Sequence, residues 1–213
     1  VLMRNEELHD QMPVVLNIML QAARVDRAYI FENSEDGEKG TCMSQIYEVT
    51  AEGIKTQMDF PLLQNLSYQE ASPTLLKVLQ SHSPFMGLVS EMETVEQEIL
   101  SAQGILSILI LPIFCGPELW GFIGFDDCTR GQSWCAEDIG LLQIVADGIG
   151  NTIYRHRAER ALRESEERYR LIAENTGDNI TVMDLDLNVI YTSPSVQTMR
   201  GFSVEEAMRQ RLH

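Results

Sequence analysis

The stretch that most restricts the fold is Gly104–Asp127, GILSILILPIFCGPELWGFIGFDD. It reads as two strands, Leu106–Phe114 and Leu119–Asp126, joined through Cys115-Gly116-Pro117-Glu118. Gly and Pro between two runs of aliphatic and aromatic residues mark a hairpin. The first strand is apolar on both alternating faces, with Leu106, Ile108 and Ile110 on one and Leu109, Leu111 and Ile113 on the other. A strand hidden from water on both sides lies inside a sheet, with material packed above and below it.

The 213 residues suffice for one well-buried domain and a smaller piece. Upstream of the hairpin, Leu8, Met12, Val15, Met19 and Ala22 draw one stripe on a helix over 4–25, which Pro13 should kink or restart. Strands are expected at Ala28–Phe31, Thr41–Val49 and Pro84–Leu88, with a connection lacking periodicity at Met58–Tyr68. Ser72-Pro73 opens a helix, and Thr94 with Gln97 reads as a capping box for another over Val95–Ala102.

After the hairpin, a long helix is expected from Cys135 or Ala136 to about Glu174. Leu142, Ala146, Ile149 and Ile153 keep one helical spacing, and Ala158, Leu162, Ser165, Tyr169 and Ile172 keep a second, out of phase. The step between Ile153 and Ala158 reads as a register break in a two-stranded coil. The alternative is a single amphipathic helix on its own domain, but residues 155–170 are very polar for that. Ile180–Asp184 and Val189–Thr192 then form a hairpin, and Ser203 with Glu206 caps a last helix.

Charge excludes one class of partner. The net charge is −16, and between Phe31 and Asp127 fifteen acidic residues face three lysines, a field that repels nucleic acid. No apolar run reaches membrane-spanning length, since Ile105–Cys115 is interrupted by Ser107 and Pro112. The opening VLMRNEEL has neither an initiator Met nor a signal segment, so a cytoplasmic fragment of a longer parent is expected, with any membrane attachment outside it. Cys42, Cys115, Cys128 and Cys135 form no C-x-x-C pair and have no His at metal-ligand spacing, the pattern of reduced thiols. His9, His82, His156 and His213 are scattered, and no phosphate loop or Ser/His/Asp arrangement appears, so no cofactor or metal is required by the sequence.

The run Ser107–Asp127, followed by Trp134 and the helix at 139–149, together with MSQIYEVTAEG at 43–53, resembles a GAF domain over about residues 5–155. It is most similar to the GAF modules of bacterial and archaeal multi-domain sensors of the histidine kinase type. The stretch from Glu164 to Glu206 resembles the opening of a PAS domain, on Asp184, Asp186, Tyr191, Ser193-Pro194-Ser195 and Gly201–Glu206. The resemblances imply a GAF domain at 1–153, a linking coiled-coil helix at 154–174, and the N-terminal part of a PAS domain at 175–213. The implied fold class is α+β. It comprises an antiparallel sheet with the terminal helices on one face and a pocket on the other, a long signalling helix, then a partial PAS-like segment.

They also imply a non-catalytic sensory input module of a two-component signal-transduction protein, whose output domain, a histidine kinase or cyclic-di-nucleotide enzyme, follows residue 213. A small-molecule ligand and a homodimer through the N- and C-terminal helices go with that reading. Pocket candidates are Tyr47, Phe60, Phe85, Ser107, Leu109, Leu111 and Trp120, with Ile108 and Ile110 as the alternative set on the central strand. Dimer-helix candidates are Leu142, Ala146, Ile149, Ile153, Leu162 and Tyr169. Phe122–Asp127 imitates the end of the cyclic-nucleotide GAF motif, but the Asn-Lys portion is absent and Asp replaces its final Glu. Asp126 and Asp127 are therefore expected to turn the chain and face water. None of the cysteines has the neighbouring His of bilin-attaching GAF domains, and Cys128 and Cys135 match no pattern of the free methionine sulfoxide reductases. A thiol enzyme would need two cysteines within disulfide reach. The alternative function is a dimerisation and spacer module whose pocket is filled by Trp120, Phe122 and Phe125.

Overall fold

The computed structural model describes residues 6–58, 60–175 and 178–209. The chain divides into two compact units, Val1–Tyr154 and Arg155–His213. In the first, six strands form one antiparallel sheet: β1 (Arg27–Asp36), β2 (Gly40–Thr50), β3 (Leu66–Ser67), β4 (Phe85–Leu88), β5 (Ser107–Cys115) and β6 (Glu118–Asp127). Their order is β3-β2-β1-β6-β5-β4. The hairpin therefore lies inside the sheet, β5 between β4 and β6, as its two apolar faces demand.

Helices cover both faces. On one lie α1 (Glu6–Ala23) and the first part of α5 (Ala136–Asn175). Met12, Leu16, Met19 and Leu20 of α1, and Leu142, Ala146, Ile149 and Ile153 of α5, pack there on Leu109, Leu111 and Ile113 of β5. On the other face lie α2 (Tyr68–Ala71), α3 (Pro73–Gln80) and α4 (Thr94–Ala102), whose core partners include Ile108 and Ile110. The period of two thus sends successive residues of one strand into two separate cores.

α5 approaches β5 closely because of Gly150: a Cβ there would lie 2.2 Å from the carbonyl oxygen of Phe114. α1 runs through Pro13 without restarting. α3 starts as expected, the Ser72 hydroxyl accepting the Leu75 N–H and Pro73 occupying the first turn. The Thr94/Gln97 box does not form. Glu93 is the N-cap residue of α4, and the Gln97 amide donates instead to the Ser90 carbonyl at 3.4 Å.

In the second unit, β7 (Thr181–Met183) pairs with β8 (Val189–Thr192). The turn between them is held by the Asp184 carboxylate, which accepts the backbone N–H groups of Asp186 at 3.0 Å and Asn188 at 2.8 Å. Two short helices follow, α6 (Ser195–Arg200) and α7 (Val204–Met208), the latter opened by the reciprocal Ser203/Glu206 capping box.

Candidate functional site

Between the sheet and α2–α4 lies a cavity of about 110 Å³. Its walls are Tyr29 and Phe31 of β1, Met43 of β2, Ile108 and Ile110 of β5, Phe122 of β6, Phe85 of β4 and Leu75 of α3. Polar groups reach it from Gln45, Gln57, Ser72, Glu96, Gln103 and Asp126. Phe31 stacks on Phe122 with ring centroids 4.9 Å apart, and Tyr29 meets Phe31 edge-on at 5.6 Å.

Of the seven pocket candidates, the cavity wall includes Phe85. Leu109 and Leu111 point to the opposite core, so the strand's other alternating set faces the cavity. Ser107 is fully buried outside the wall, and Phe60 is half exposed. Tyr47 and Trp120 belong to the α1/α5 side for a common reason. In β2, Ile30 pairs with Tyr47 but Phe31 with Gln45, so Ile46 is an extra residue. In β6, Ile113 pairs with Gly121 but Phe114 with Leu119, so Trp120 is the extra one. A bulge shifts alternation by one residue and sends the residues beyond it to the other face. Met43 and Gln45 precede the β2 bulge and face the cavity; Tyr47 lies past it and does not. Phe122 remains on the wall, whereas Trp120 and Phe125 lie on the far side of the sheet and cannot fill the cavity.

Asp126 and Asp127 do not face water; both are buried, at 1% and 0% exposure. Asp126 sits at the cavity floor, where its carboxyl accepts Arg27 Nη1 at 3.0 Å and the Tyr29 hydroxyl at 2.9 Å. Arg27 Nε also lies 3.4 Å from Glu48 Oε1. One buried guanidinium therefore meets two carboxyl groups, and the set is neutral only if one keeps its proton. Burial pushes Asp126 up to about 7 against the pull of Arg27 and Tyr29, with Glu48 adding to the rise. Burial, with the nearby Asp126, likewise holds the Tyr29 phenol well above its ordinary value. Gly124 is needed opposite Tyr29, since a Cβ there would lie 2.2 Å from the ring.

The network extends from the cavity in two directions. Glu48 Oε2 accepts the backbone N–H groups of Gln57 at 2.7 Å and Met58 at 3.0 Å, and the Thr56 hydroxyl, clamping the loop that carries Gln57. Asp127 points the other way and organises the connection to α5, accepting the N–H groups of Arg130 at 2.8 Å, Thr129 at 3.0 Å and Gln132 at 3.2 Å. Burial pushes its carboxyl up, but these three donors outweigh it and hold it below the usual range. The Gln132 amide donates in turn to the Ala23 carbonyl at the end of α1. The periodicity of β6 placed these two aspartates on opposite faces; only their partners explain why both are buried.

The cysteines stand apart from this site. Cys42 and Cys115 are buried, Cys128 half-buried and Cys135 exposed, and none is on the cavity wall. Cys135 Sγ accepts the Asp138 N–H at 3.4 Å, a weak cap for α5. Among the described residues no cluster of three or more His, Cys, Asp or Glu could hold a metal, and no helix is long and apolar enough to cross a membrane.

The dimer-helix candidates separate into two groups. Leu142, Ala146, Ile149 and Ile153 are buried in their own domain, between 0% and 8% exposed, and are not free to pair with another chain. Leu162 and Tyr169 are exposed, at 61% and 70%. α5 is one uninterrupted helix. The five-residue step from Ile153 to Ala158 is thus a change of face, from a stripe packed on the sheet to an exposed one, and not a break in a coil.

The sheet with α1 and the first part of α5 on one side and a floored cavity on the other defines a GAF-type fold. The GAF domain model matches residues 7–153, and the chain belongs to the GAF family. It is similar to the methanogenesis regulatory histidine kinase FilI of Methanothrix harundinacea, 43% identical over 159 residues. That match covers 72% of this chain but 18% of the relative. Among solved structures, the photoproduct state of GAF3 from Slr1393 of Synechocystis sp. PCC6803 has a TM-score of 0.61 at 22% identity. It covers 73% of this chain and 98% of that one. The blue-light absorbing form of the Thermosynechococcus elongatus PixJ GAF domain has a TM-score of 0.63 at 11% identity, covering 76% and 94%. Both likenesses are of fold.

Proposed function

We propose that this chain is the non-catalytic input segment of a multi-domain signalling kinase. A small molecule in the GAF cavity alters how α5 packs on the sheet, and α5 carries the change towards an output domain through a following PAS-type segment. One observation supports this most: alternate residues of β5 line the cavity (Ile108, Ile110) and carry the helix layer (Leu109, Leu111, Ile113). Interiors are close-packed, so displacement on one side of that strand is felt on the other. The ligand must bind two packings with different affinity, or it shifts nothing. The kinase likeness of the relative favours this over a passive spacer.

The relay we assign is a homodimeric coil on the exposed face of α5. Leu141, Ile144, Gly148, Asn151, Arg155, Ala158, Leu162, Ser165, Tyr169 and Ile172 follow an unbroken 3-4 repeat. Leu141, Ile144, Leu162, Tyr169 and Ile172 on it are each more than half exposed. Sedimentation tests the pairing. The chain should run as a dimer, and Leu162→Asp with Tyr169→Asp as a monomer whose Trp120 and Trp134 fluorescence is unchanged. A monomer at high micromolar concentration in the unaltered chain would sink the relay.

A further inference from the structure

On the reading of the cavity as the sensing pocket, we propose that it selects a compact organic cation, of the alkylammonium class. The lining supplies two features such an ion needs and lacks a third that would repel it. First, four aromatic rings, Tyr29, Phe31, Phe85 and Phe122, form part of the wall, and ring faces attract an alkylated ammonium. Second, the polar groups present are carboxyls, side-chain amides and the hydroxyls of Ser72 and Tyr29, none of them cationic. Glu96 on α4 is 8% exposed, and one of its carboxyl oxygens accepts the Ser72 hydroxyl at 2.8 Å.

Among the described residues, no Lys, Arg or His lines the cavity. The nearest guanidinium in the network, Arg27, is behind Asp126 and committed to it and to Glu48. An anionic ligand would therefore meet the Glu96 carboxyl with no wall cation to offset it, a costly burial. The surroundings reinforce the choice, since Phe31–Asp127 carries fifteen acidic residues against three lysines, a field that concentrates cations.

Size narrows the class. A cavity of ~150 Å³ accepts benzene. At about 110 Å³, this one suits a body no larger than that. A linear tetrapyrrole is far larger. On α4, Ile99 and Gln103 are wall residues, yet Ile99 is 39% exposed, so this side of the wall reaches solvent. Glu96 lies on the same wall, one turn of helix earlier.

Three probes of nearly the same shape separate charge from fit: tetramethylammonium, tert-butanol and trimethylacetate, titrated into the full chain by calorimetry and followed by methyl NMR of the wall residues. Tetramethylammonium should bind at least tenfold more tightly than tert-butanol, and trimethylacetate should not bind. Glu96→Gln, which keeps an acceptor for Ser72, should weaken the cation about tenfold and leave tert-butanol unchanged. Phe31→Leu should weaken the cation several-fold, in the range of a lost cation–π contact, with little change for the alcohol. Equal binding of the alcohol and the cation, or indifference to Glu96→Gln, overturns the cation assignment while leaving the cavity a binding site. Failure of all three probes to shift any wall methyl overturns both.

Discussion

The buried trio of Arg27, Glu48 and Asp126 makes an unusual prediction about Asp126→Asn. In an ordinary buried ion pair the acid's proton affinity falls, and losing the charge costs about 3–5 kcal/mol because the partner is stranded. Here one guanidinium serves two carboxyl groups, and burial raises Asp126 from its usual range to about 7. A raised folded value contributes stability that is complete below the unfolded value and disappears as pH climbs through the folded one. Taking about 7 folded and 3.8 unfolded, the retained proton is worth ~2.7 kcal/mol at pH 5 and ~0.1 kcal/mol at pH 8. The native protein should lose about 2.5 kcal/mol from this group over that interval, and the Asn variant, neutral throughout, should not.

Urea unfolding at the two pH values, read by fluorescence, isolates the effect, because Trp120 and Trp134 both lie within residues 1–154. All other titrations are common to both proteins, so the difference between them is the quantity that matters. The Asn variant should match the native protein at pH 5 and gain on it by about 2.5 kcal/mol at pH 8. A variant that is less stable than the native protein at pH 8 would refute the reasoning and restore a simple Arg27–Asp126 pair.

Other expectations are more direct. Gly124→Ala puts a Cβ 2.2 Å from the Tyr29 ring and should cost ~1–3 kcal/mol by urea midpoint. Gly37→Ala, with nothing within 4 Å, should be near neutral in the same assay. In thiol labelling at pH 7.5 followed by mass spectrometry, exposed Cys135 should react first. Cys128, whose thiol burial pushes up to about 11, should lag, and Cys42 and Cys115 should wait for unfolding. Ser203→Ala removes the hydroxyl half of the α7 capping box and should cost ~1 kcal/mol, seen as faster amide exchange in 203–208 with tryptophan fluorescence unchanged.

Much of the architecture was legible because it rests on local rules. The two apolar faces of 108–113 demanded a strand covered on both sides, and β5 is one, although Leu106, read as part of it, lies just outside and is 45% exposed. Ser72-Pro73 and Ser203/Glu206 announced helix starts through their own hydrogen-bonding chemistry, and both formed. The site was less legible. Alternation divides β5 into two sets but carries no label for which side holds helices and which a cavity. Tyr47 and Trp120 show a second reason: a bulge depends on how neighbouring strands pair, and pairing is not a local property of either strand. Ile153 and Ala158 show a third, since two stripes on one helix look like a fault until one of them is seen against a sheet.

From the order of residues alone came most of the elements (though not β3, α2 or α6), their approximate limits, the acidic character of the lobe and the family likeness, all set by periodicities and caps that act over a few neighbours. Only the tertiary structure decided that Ile108 and Ile110 face the cavity, that Asp126 is buried at its floor and Asp127 beneath the connection to α5, and that 142–153 is spent on its own domain. The reason is physical: burial and charge pairing depend on what approaches from residues far along the chain. Arg27 meets Asp126 from 99 positions away, a contact that no local window contains.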